Sequence, residues 1–426
     1  MNRDAPDMLD RPISTQDPSG GTGVTPYPQG VSGLERWFLA TLLDGLGRPA
    51  IAVDLWNGET VAATSDPVAR IRIRDRGALL KLVSNPDLEF GELYSSGRVD
   101  VDGDLVQMLE AAYRARSGAG RGNFKERLLA RLHRPRRNTV AGSRENIHHH
   151  YDIGNAFYRL WLDRQMVYTC AYFPDRDVNL ETAQTAKLDY ICRKLRLKPG
   201  ERVVEAGCGW GALALHMARH YGVTVQAFNV SREQLAYARE RAEAEGLSDR
   251  VAFVERDYRE IDGDFDAFVS VGMLEHVGVD HYGELGAVID RCLKRDGRGL
   301  IHSIGRDQPG LMNPWIEKRI FPGARPPSLS EMMAIFEPWG LSVCDVENIR
   351  LHYAQTLRHW LARFETQVEK IAMMFDDFFV RMWRLYLAGS IAAFTTGELQ
   401  LFQVVFSRSG SHEVPWTRAY LYTHNG

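Results

Sequence analysis

Cysteine is scarce in this chain, and its few copies are not spaced to bind zinc. The 426 residues include only Cys170, Cys192, Cys208, Cys292 and Cys344, an odd number without C-x-x-C spacing. This pattern argues against a disulfide framework and against a zinc site, so no metal is expected. A reducing cytoplasm is the compartment that it predicts.

Long apolar runs are also lacking, and none reaches the roughly 18 residues that a membrane-spanning helix needs. Residues 1–30 are rich in Asp, Pro, Ser, Thr and Gly and have no basic start followed by an apolar stretch. They predict a disordered tail and not a signal peptide. The chain is 44% hydrophobic and 25% charged, which is ordinary for a globular protein, and its length exceeds that of a typical domain.

Residues 31–113 predict a small N-terminal α+β domain. An apolar-faced helix is expected around Leu34, Trp37, Phe38 and Leu42, with a second helix at 105–113. Apolar runs at 50–54 and 69–74 predict strands.

A basic linker is expected at 114–146. It contains ten Arg or Lys against two Glu, although the whole chain carries a net charge of −3. Such a segment is able to bind nucleic acid or an anionic lipid surface, or to be a solvated connection only. Leu128, Leu129 and Leu132 suggest an amphipathic helix, which favours the membrane over nucleic acid.

A glycine-rich turn follows an apolar strand at residues 203–211, with glycines at Gly207, Gly209 and Gly211. Glycine permits a tight turn and lets a ligand lie against the backbone, and the helix that follows offers unpaired N–H groups. No Lys-Ser/Thr pair follows, so a triphosphate loop is disfavoured. The turn predicts a site for an adenosine without phosphates, although a purely structural turn would look the same.

Strands and helices then alternate for about 100 residues, which is the pattern of a doubly wound α/β sheet. Strands are predicted at 223–228, 251–255, 266–271 and 299–304, and helices at 231–244 and 282–293. Ligands of such sheets lie at the carboxyl ends of the strands. Candidate site residues are therefore Glu205, Asn229, Asp257, the 272–278 loop and His302.

Nine motifs, taken in order, resemble the bacterial cyclopropane-fatty-acyl-phospholipid synthases. They are NIHHHYDIGN at 146–155, YTCAYF at 168–173, VEAGCGWG at 204–211, DYR at 257–259, GMLEHVG at 272–278, IHSIG at 301–305, WIEKRIFPG at 315–323, YAQTL at 353–357 and LQLFQVVF at 399–406. The resemblance implies a catalytic domain at 147–426 with a class I methyltransferase (Rossmann-like) sheet. It also implies transfer of the S-adenosylmethionine methyl group to a cis double bond of a phospholipid acyl chain, with loss of a proton and ring closure.

In this family the base is a bound bicarbonate. The matching positions here are Cys170, Glu275, His302 and Tyr353, with the backbone of Ile304. An anion beside a glutamate becomes reasonable if the bicarbonate O–H donates to Glu275 and His302 donates back. Taken singly, Cys170 could be a core cysteine and Tyr353 a capping aromatic.

The same resemblance assigns the cofactor contacts. They are Tyr168 and Thr169 at the methionine end, Glu205, Gly207, Cys208, Gly209 and Gly211 at the turn, Asn229 and Gln234 at the ribose and carboxylate, and Asp257 and Tyr258 at the adenine. Asn229 replaces the family's usual Thr and Glu205 the more usual Asp. Ser390 stands where some relatives have a cysteine, so no thiol nucleophile is required there.

Apolar and aromatic residues from Phe364 to Phe406 are expected to wall an acyl channel, or simply to form core; examples are Met373, Met374, Phe375, Phe378, Phe379 and Trp383. The expected partner is unsaturated phospholipid in anionic membranes, met at the inner membrane face by peripheral contact. No nucleic acid is expected, and the N-terminal unit could mediate a homodimer.

Three hypotheses follow from the sequence. The first is cyclopropanation, and the second is a related methyltransferase that yields a methylene- or methyl-branched chain. The third is an idle binding protein that has kept the fold. Intact Glu275, His276 and His302 favour ring closure.

Overall fold

The computed structural model describes residues 30–62, 64–118 and 153–422. The expected tail, apart from its last residue, and most of the expected basic linker lie outside the described residues. No helix within them combines the length and the apolarity needed to span a bilayer.

The N-terminal unit is a four-stranded sheet with helices packed against it. Its elements are α1 (Gly33–Gly45), β1 (Ile51–Asp54), β2 (Thr60–Ala62), β3 (Ala69–Ile73), α2 (Arg76–Ser84), α3 (Pro86–Ser95), β4 (Val99–Asp102) and α4 (Leu105–Gly118). The strand order is β2-β1-β3-β4. The predicted helices and strands of this unit are therefore present, and α4 runs several residues beyond the predicted end.

The apolar face of α1 differs from the expectation. Leu39 and Leu43 are the residues that pack into the core, whereas Leu34 is 61% and Trp37 59% exposed. Ser32 caps the helix by accepting from the Glu35 N–H, and the Glu35 carboxylate accepts from the Ser32 N–H. The cap fixes where the helix starts, but only tertiary packing decides which apolar side chains meet a partner.

The catalytic unit is built on a seven-stranded sheet. Its strands are β5 (Arg202–Ala206), β6 (Thr224–Asn229), β7 (Val251–Glu255), β8 (Phe265–Val271), β9 (Leu293–Gly305), β10 (Leu341–Asn348) and β11 (Gln400–Arg408). The order is β10-β11-β9-β8-β5-β6-β7, and β11 is antiparallel to both of its neighbours. The predicted doubly wound α/β class is confirmed. The ends of the predicted strands agree with the observed ends within one or two residues, except that β9 begins earlier than predicted.

Helices cover the sheet and supply a further layer above its carboxyl edge. They are α5 (Asn155–Tyr158), α6 (Leu180–Leu195), α7 (Ala212–Tyr221), α8 (Arg232–Ala244), α9 (Leu274–Val277), α10 (Tyr282–Cys292), α11 (Pro314–Arg319), α12 (Leu329–Met332), α13 (Arg350–Glu365), α14 (Val368–Met374) and α15 (Asp377–Thr396). The parallel strands are apolar on both faces because helices bury both.

The N-terminal unit docks directly onto the catalytic unit through α3 and α4. Gly91 lies so close to the Trp315 indole that an added Cβ would fall 2.4 Å from it. Arg319 donates to both carboxylate oxygens of Glu92, at 2.7 and 2.6 Å. Arg381 of α15 donates to the Tyr94 carbonyl at 2.5 Å and to Asp100 at 2.7 Å. The two units therefore share a closely packed, ion-paired interface.

Candidate active site

A cavity of about 980 Å³ opens at the carboxyl ends of β5, β6, β8 and β9. One side is the glycine turn and the 272–276 segment, and the other is formed by α15, α4 and the 306–317 loop. Doubly wound folds bind their ligands at this edge of the sheet. The volume exceeds what an adenosine cofactor alone would fill, so there is space for a second molecule.

The three glycines of the turn are required for different reasons. All have positive φ, with values of 86° at Gly207, 53° at Gly209 and 82° at Gly211. A Cβ on Gly211 would lie 2.7 Å from Phe253, whereas a Cβ on Gly209 would meet nothing within 4 Å. Gly209 lines the cavity, so the open space beside it belongs to the ligand site. Gly211 instead permits close packing against the sheet.

Glu205 is the penultimate residue of β5, two residues before the first glycine of the turn. It is 2% exposed and its Oε2 has no hydrogen-bond partner in the described part of the chain. Burial raises its pKa to about 8, although the Lys187 ammonium and the Ala214 amide oppose the shift. A buried, unpaired carboxylate on a cavity wall fits a cationic ligand group.

Asn229 and Gln234 lie on the wall, but Asn229 is already engaged by the protein. Its Nδ2 donates to the Gly209 carbonyl at 3.2 Å and to Gln234 Oε1 at 2.8 Å, while its Oδ1 accepts from the Val230 N–H at 2.8 Å. Gln234 Nε2 is buried without a partner in the described residues. Asn229 thus fixes the turn, and Gln234 offers the free donor.

Residues 166–169 also line the cavity, and α6 holds this segment in place. Gln184 donates to the Thr169 carbonyl at 2.9 Å, and Lys187 donates to the Thr169 hydroxyl at 2.9 Å. The Tyr168 hydroxyl pairs with that of Tyr386 at 2.9 Å. Tyr168 and Thr169 both line the cavity, as their predicted cofactor role requires.

Glu275 lines the cavity, and His302 lies in β9 two residues before Ile304, which also lines it. Glu275 Oε1 accepts from the Ile304 N–H at 2.6 Å, while Glu275 Oε2 and His302 Nε2 are buried without partners among the described residues. Burial raises the pKa of Glu275 to about 7, against the opposing effects of the Ile304 N–H and the Ser303 hydroxyl. Burial also lowers the pKa of His302 well below its usual value, so the imidazole is neutral.

Gln403 orients His302. Its Nε2 lies 3.0 Å from His302 Nδ1, and with that amide donating, the ring proton is on Nε2. His302 therefore donates from Nε2, and Glu275 accepts at Oε2. A small oxyanion that carries one O–H has the complementary set of groups, so the donor set fits bicarbonate.

Cys170 and Tyr353 belong to one hydrophobic core cluster of the catalytic unit. Cys170 is fully buried, donates to the Ala171 carbonyl at 3.1 Å, and burial raises the pKa of its thiol. Tyr353 lies on the cavity wall, with its ring 4.6 Å from that of Phe394. A neutral thiol serves here as a weak donor and not as a nucleophile.

Gly211, Asp257, Tyr258, Cys170 and His302 are not among the residues that line the cavity. The Asp257 carboxylate accepts from the Arg259 N–H at 3.0 Å and pairs with its guanidinium at 3.2 Å. Tyr258 is 8% exposed, and its hydroxyl is unpartnered in the described residues. Their adenine contact stays a prediction.

The stretch 364–406, predicted to wall an acyl channel, does line the cavity, but not through the six residues named as examples. Met373 is 81% exposed, and none of the six predicted residues lines the cavity. The carboxyl-terminal half of α15 forms the wall instead, through Leu385, Tyr386, Gly389, Ser390, Ala393 and Phe394. Small side chains at three of these positions leave the space that bulky ones would fill.

Lys187 is the site residue that the sequence analysis missed. It is 2% exposed and lines the cavity. It sits on the buried face of α6, where Leu180, Ala183 and Leu188 recur at helical spacing. A lysine at an apolar position of a helix is unusual, and this feature of the sequence could have identified Lys187 as a site residue.

Comparison with known proteins agrees with this geometry. A family described as mycolic acid cyclopropane synthetase matches residues 139–404, and a domain of unknown function (DUF7884) matches residues 38–122. The chain is 38% identical to a cyclopropane-fatty-acyl-phospholipid synthase of Escherichia coli, covering 84% of this chain and 93% of that protein. It is 36% identical to a probable fatty acid methyltransferase of Pseudomonas putida, covering 87% and 96%.

Among solved structures, a mycolic acid cyclopropane synthase complexed with SAH and CTAB is similar, with a TM-score of 0.59 and 28% identity. The match covers 62% of this chain and 98% of that one. Its bound SAH is the demethylated form of S-adenosylmethionine. The chain therefore belongs to the mycolic acid cyclopropane synthetase family and is an S-adenosylmethionine-dependent methyltransferase that acts on lipid acyl chains.

Proposed function

We propose that this enzyme converts cis double bonds of phospholipid acyl chains into cyclopropane rings, with bound bicarbonate as the base. The observation that carries the proposal is the buried pair of Glu275 Oε2 and His302 Nε2, each without a partner in the described residues. When bound, S-adenosylmethionine supplies the methyl group and bicarbonate accepts the proton whose loss lets the ring close.

The protein's own task is to hold a base that does not attack a carbocation. The Glu275 carboxylate accepts the bicarbonate O–H, and His302 Nε2–H donates to a second oxygen. Tyr353 lines the cavity, whereas Cys170 lies off its wall and its S–H donates to the Ala171 carbonyl. Glu275 and His302 leave the oxyanion oriented and fix its one proton on the side of Glu275.

The rest of the cavity suits an apolar chain with an anionic end. Phe90, Leu109 and Leu399 line its outer part, where the N-terminal unit meets the catalytic unit. Arg306 lies there too, and its Nε has no hydrogen-bond partner among the described residues. Burial lowers the pKa of this guanidinium. A phosphodiester at that place would pair with this guanidinium, which agrees with a phospholipid substrate.

The alternative is a methyltransferase that leaves a methylene- or methyl-branched chain, as the name of the Pseudomonas putida relative allows. Glu275 and His302 support a site for a base, and ring closure and methylene formation both lose a proton to that base, so the product itself decides between them.

The test is product analysis with purified enzyme, S-adenosylmethionine and vesicles of a cis-unsaturated phospholipid. Ring formation adds one CH2 and gives a product that resists mild hydrogenation. The trans isomer and a saturated phospholipid are the controls. A product with exomethylene protons, or a methyl branch without a ring, would establish the alternative instead.

We also propose that the basic segment 114–146 docks the enzyme on anionic membranes. Each basic residue near such a surface contributes about 1 kcal/mol. Moving a whole phospholipid into water is prohibitive at about 0.8 kcal/mol per CH2, so the enzyme must work while touching the bilayer. A homodimer through the N-terminal unit stays a prediction.

Reversal of Arg134, Arg136 and Arg137 to Glu should weaken sedimentation with anionic vesicles and leave S-adenosylmethionine affinity intact. A matched control reverses Arg176, Arg256 and Arg295, which are exposed elsewhere on the surface. Equal sedimentation of both triple variants and the wild type, at low and high salt, would make the segment a linker only.

A further inference from the structure

Two buried groups of opposite charge face the cavity near the glycine turn without forming an ion pair. Lys187 is 2% exposed, and its Nζ donates to Thr169 Oγ1 at 2.9 Å. No carboxylate of the described residues lies within 4.0 Å of that nitrogen. Glu205 is equally buried, and its Oε2 has no partner in the same part of the chain.

In the cofactor-free protein, this arrangement lowers the free energy of unfolding. Burial lowers the pKa of Lys187 to about 8 and raises the pKa of Glu205 to about 8, because each charged form is kept from water. A buried charge is normally paired, since an unpaired one is strongly unfavourable. Two such groups on one cavity wall therefore suit a ligand that brings both complementary charges.

The positions of Lys187 and Glu205 indicate which part of the cofactor carries the complementary charges. Glu205 is the penultimate residue of β5, two residues before Gly207, and Lys187 contacts Thr169, whose Cγ2 would lie 2.9 Å from a Cβ on Gly272 at the end of β8. The two charges thus flank the point where β5 and β8, which are adjacent strands, both end. The methionine end of S-adenosylmethionine carries one carboxylate and one ammonium group.

We propose that Lys187 binds the carboxylate of the cofactor's methionine moiety while Glu205 holds its ammonium group. The assignment rests on S-adenosylmethionine as cofactor and is independent of which acyl product forms. It makes Lys187 a cofactor-binding residue and not only a brace for the 166–169 segment.

The same helix provides a matched control. Lys194 lies seven residues further along the buried face of α6 and is 1% exposed. Unlike Lys187, it forms an ion pair, with its Nζ 2.5 Å from Glu347 Oε2. A lysine that is buried for structural reasons therefore has its own carboxylate, and the partner of Lys187 is expected to come from the ligand.

The experiment is calorimetric binding of three ligands in the absence of lipid. S-adenosylmethionine has the carboxylate, the ammonium and the sulfonium groups, its decarboxylated form lacks only the carboxylate, and 5′-methylthioadenosine lacks all three. Lys187→Met should weaken S-adenosylmethionine binding about 10- to 100-fold, the effect of one charged hydrogen bond, and change the other two affinities less than about twofold. Glu205→Gln should weaken both amino-bearing ligands and spare methylthioadenosine.

The pattern across ligands separates binding from bracing. Equal weakening of all three ligands by Lys187→Met would mean that the lysine only positions Thr169, and unchanged binding would mean that it makes no contact. Lys194→Met should show no ligand-selective loss. Failure of the wild type to bind S-adenosylmethionine would overturn the cofactor itself and the proposed reaction with it, an outcome distinct from a product that lacks a ring.

Discussion

The two edges of the seven-stranded sheet differ in whether selected buried polar groups have partners within the protein. Near the amino edge, Arg298 is 7% exposed, donates to both carboxylate oxygens of Glu201 at 2.8 and 2.6 Å, and also donates to the Leu195 carbonyl at 2.5 Å. At the carboxyl edge, Glu205, Glu275 and His302 each keep a buried polar atom without a partner in the described residues.

This difference separates groups that hold the fold from groups that bind ligands. Buried polar atoms in folded proteins are almost always hydrogen-bonded, so a cluster of exceptions needs an explanation. Glu205 and Glu275 line a cavity at the edge where doubly wound folds bind their ligands, and His302 lies two residues before Ile304, which also lines it. Variants at the carboxyl edge should therefore alter binding or turnover, and variants at the amino edge should alter stability.

The largest effect is expected for Glu275→Gln. The amide keeps the shape but loses the carboxylate that accepts the bicarbonate O–H, so turnover should fall about 10²- to 10⁴-fold. Cofactor affinity, measured by calorimetry, should stay within a factor of two. Wild-type turnover in this variant would remove Glu275 from the base site.

Arg298→Met tests the opposite edge. It leaves Glu201 without its partner and should lower the free energy of unfolding by about 3 to 5 kcal/mol. Denaturant titration measures this loss, and activity per folded molecule should be unchanged. A selective loss of turnover without a loss of stability would break the distinction between the two edges.

Gly209→Val should reduce S-adenosylmethionine affinity at least about 100-fold, because a side chain there enters the ligand's space and the backbone φ is positive. Gly246→Val is the control, since Gly246 is exposed, has a φ of 65° and likewise has nothing within 4 Å of an added Cβ. Both variants carry the backbone strain, and only the first should lose the cofactor. Equal affinities would show that the cofactor does not approach Gly209.

The smallest effect concerns the two buried lysines. Lys187→Met should stabilise the cofactor-free protein at pH 7 by about 1 to 3 kcal/mol, since it removes a charge that lacks a carboxylate partner. Lys194→Met should destabilise it by removing the ammonium partner of Glu347, which keeps only the hydrogen bond from the Tyr190 hydroxyl.

The pH dependence follows from the lowered pKa of Lys187. Its ordinary value of 10.5 falls to about 8 in the fold, so the destabilisation is complete below pH 8 and fades as the pH rises from 8 towards 10.5. Melting curves of wild type and variant should converge over that range. A constant difference would mean that Lys187 does not titrate there.

The strands of the sheet could be predicted from the sequence because short patterns of neighbouring residues indicate them. Apolar runs and the glycine turn placed β6, β7 and β8 within one or two residues, and the family motifs named Glu275 and His302 before their unpartnered atoms could be seen. Such patterns are carried by the chain itself and need no knowledge of distant contacts.

Tertiary packing decided what the sequence could not. Met373 and Trp383 have the character of a channel wall, yet the cavity lies at the other end of α15, beside Gly389 and Ala393. Leu34 and Trp37 form an apolar stripe that finds no partner in the core of the described residues. Helical periodicity shows which face is apolar but not which surface it meets.

The most direct test of the anion site is the dependence of turnover on bicarbonate. Purified enzyme is assayed on unsaturated phospholipid vesicles in carbon-dioxide-free buffer, with bicarbonate then added back at constant pH and ionic strength. Turnover should be low at first and rise to saturation in the wild type, while Glu275→Gln should respond weakly or not at all. Full turnover of the wild type in bicarbonate-free buffer would contradict the assignment of the Glu275 and His302 pair as the site of the base.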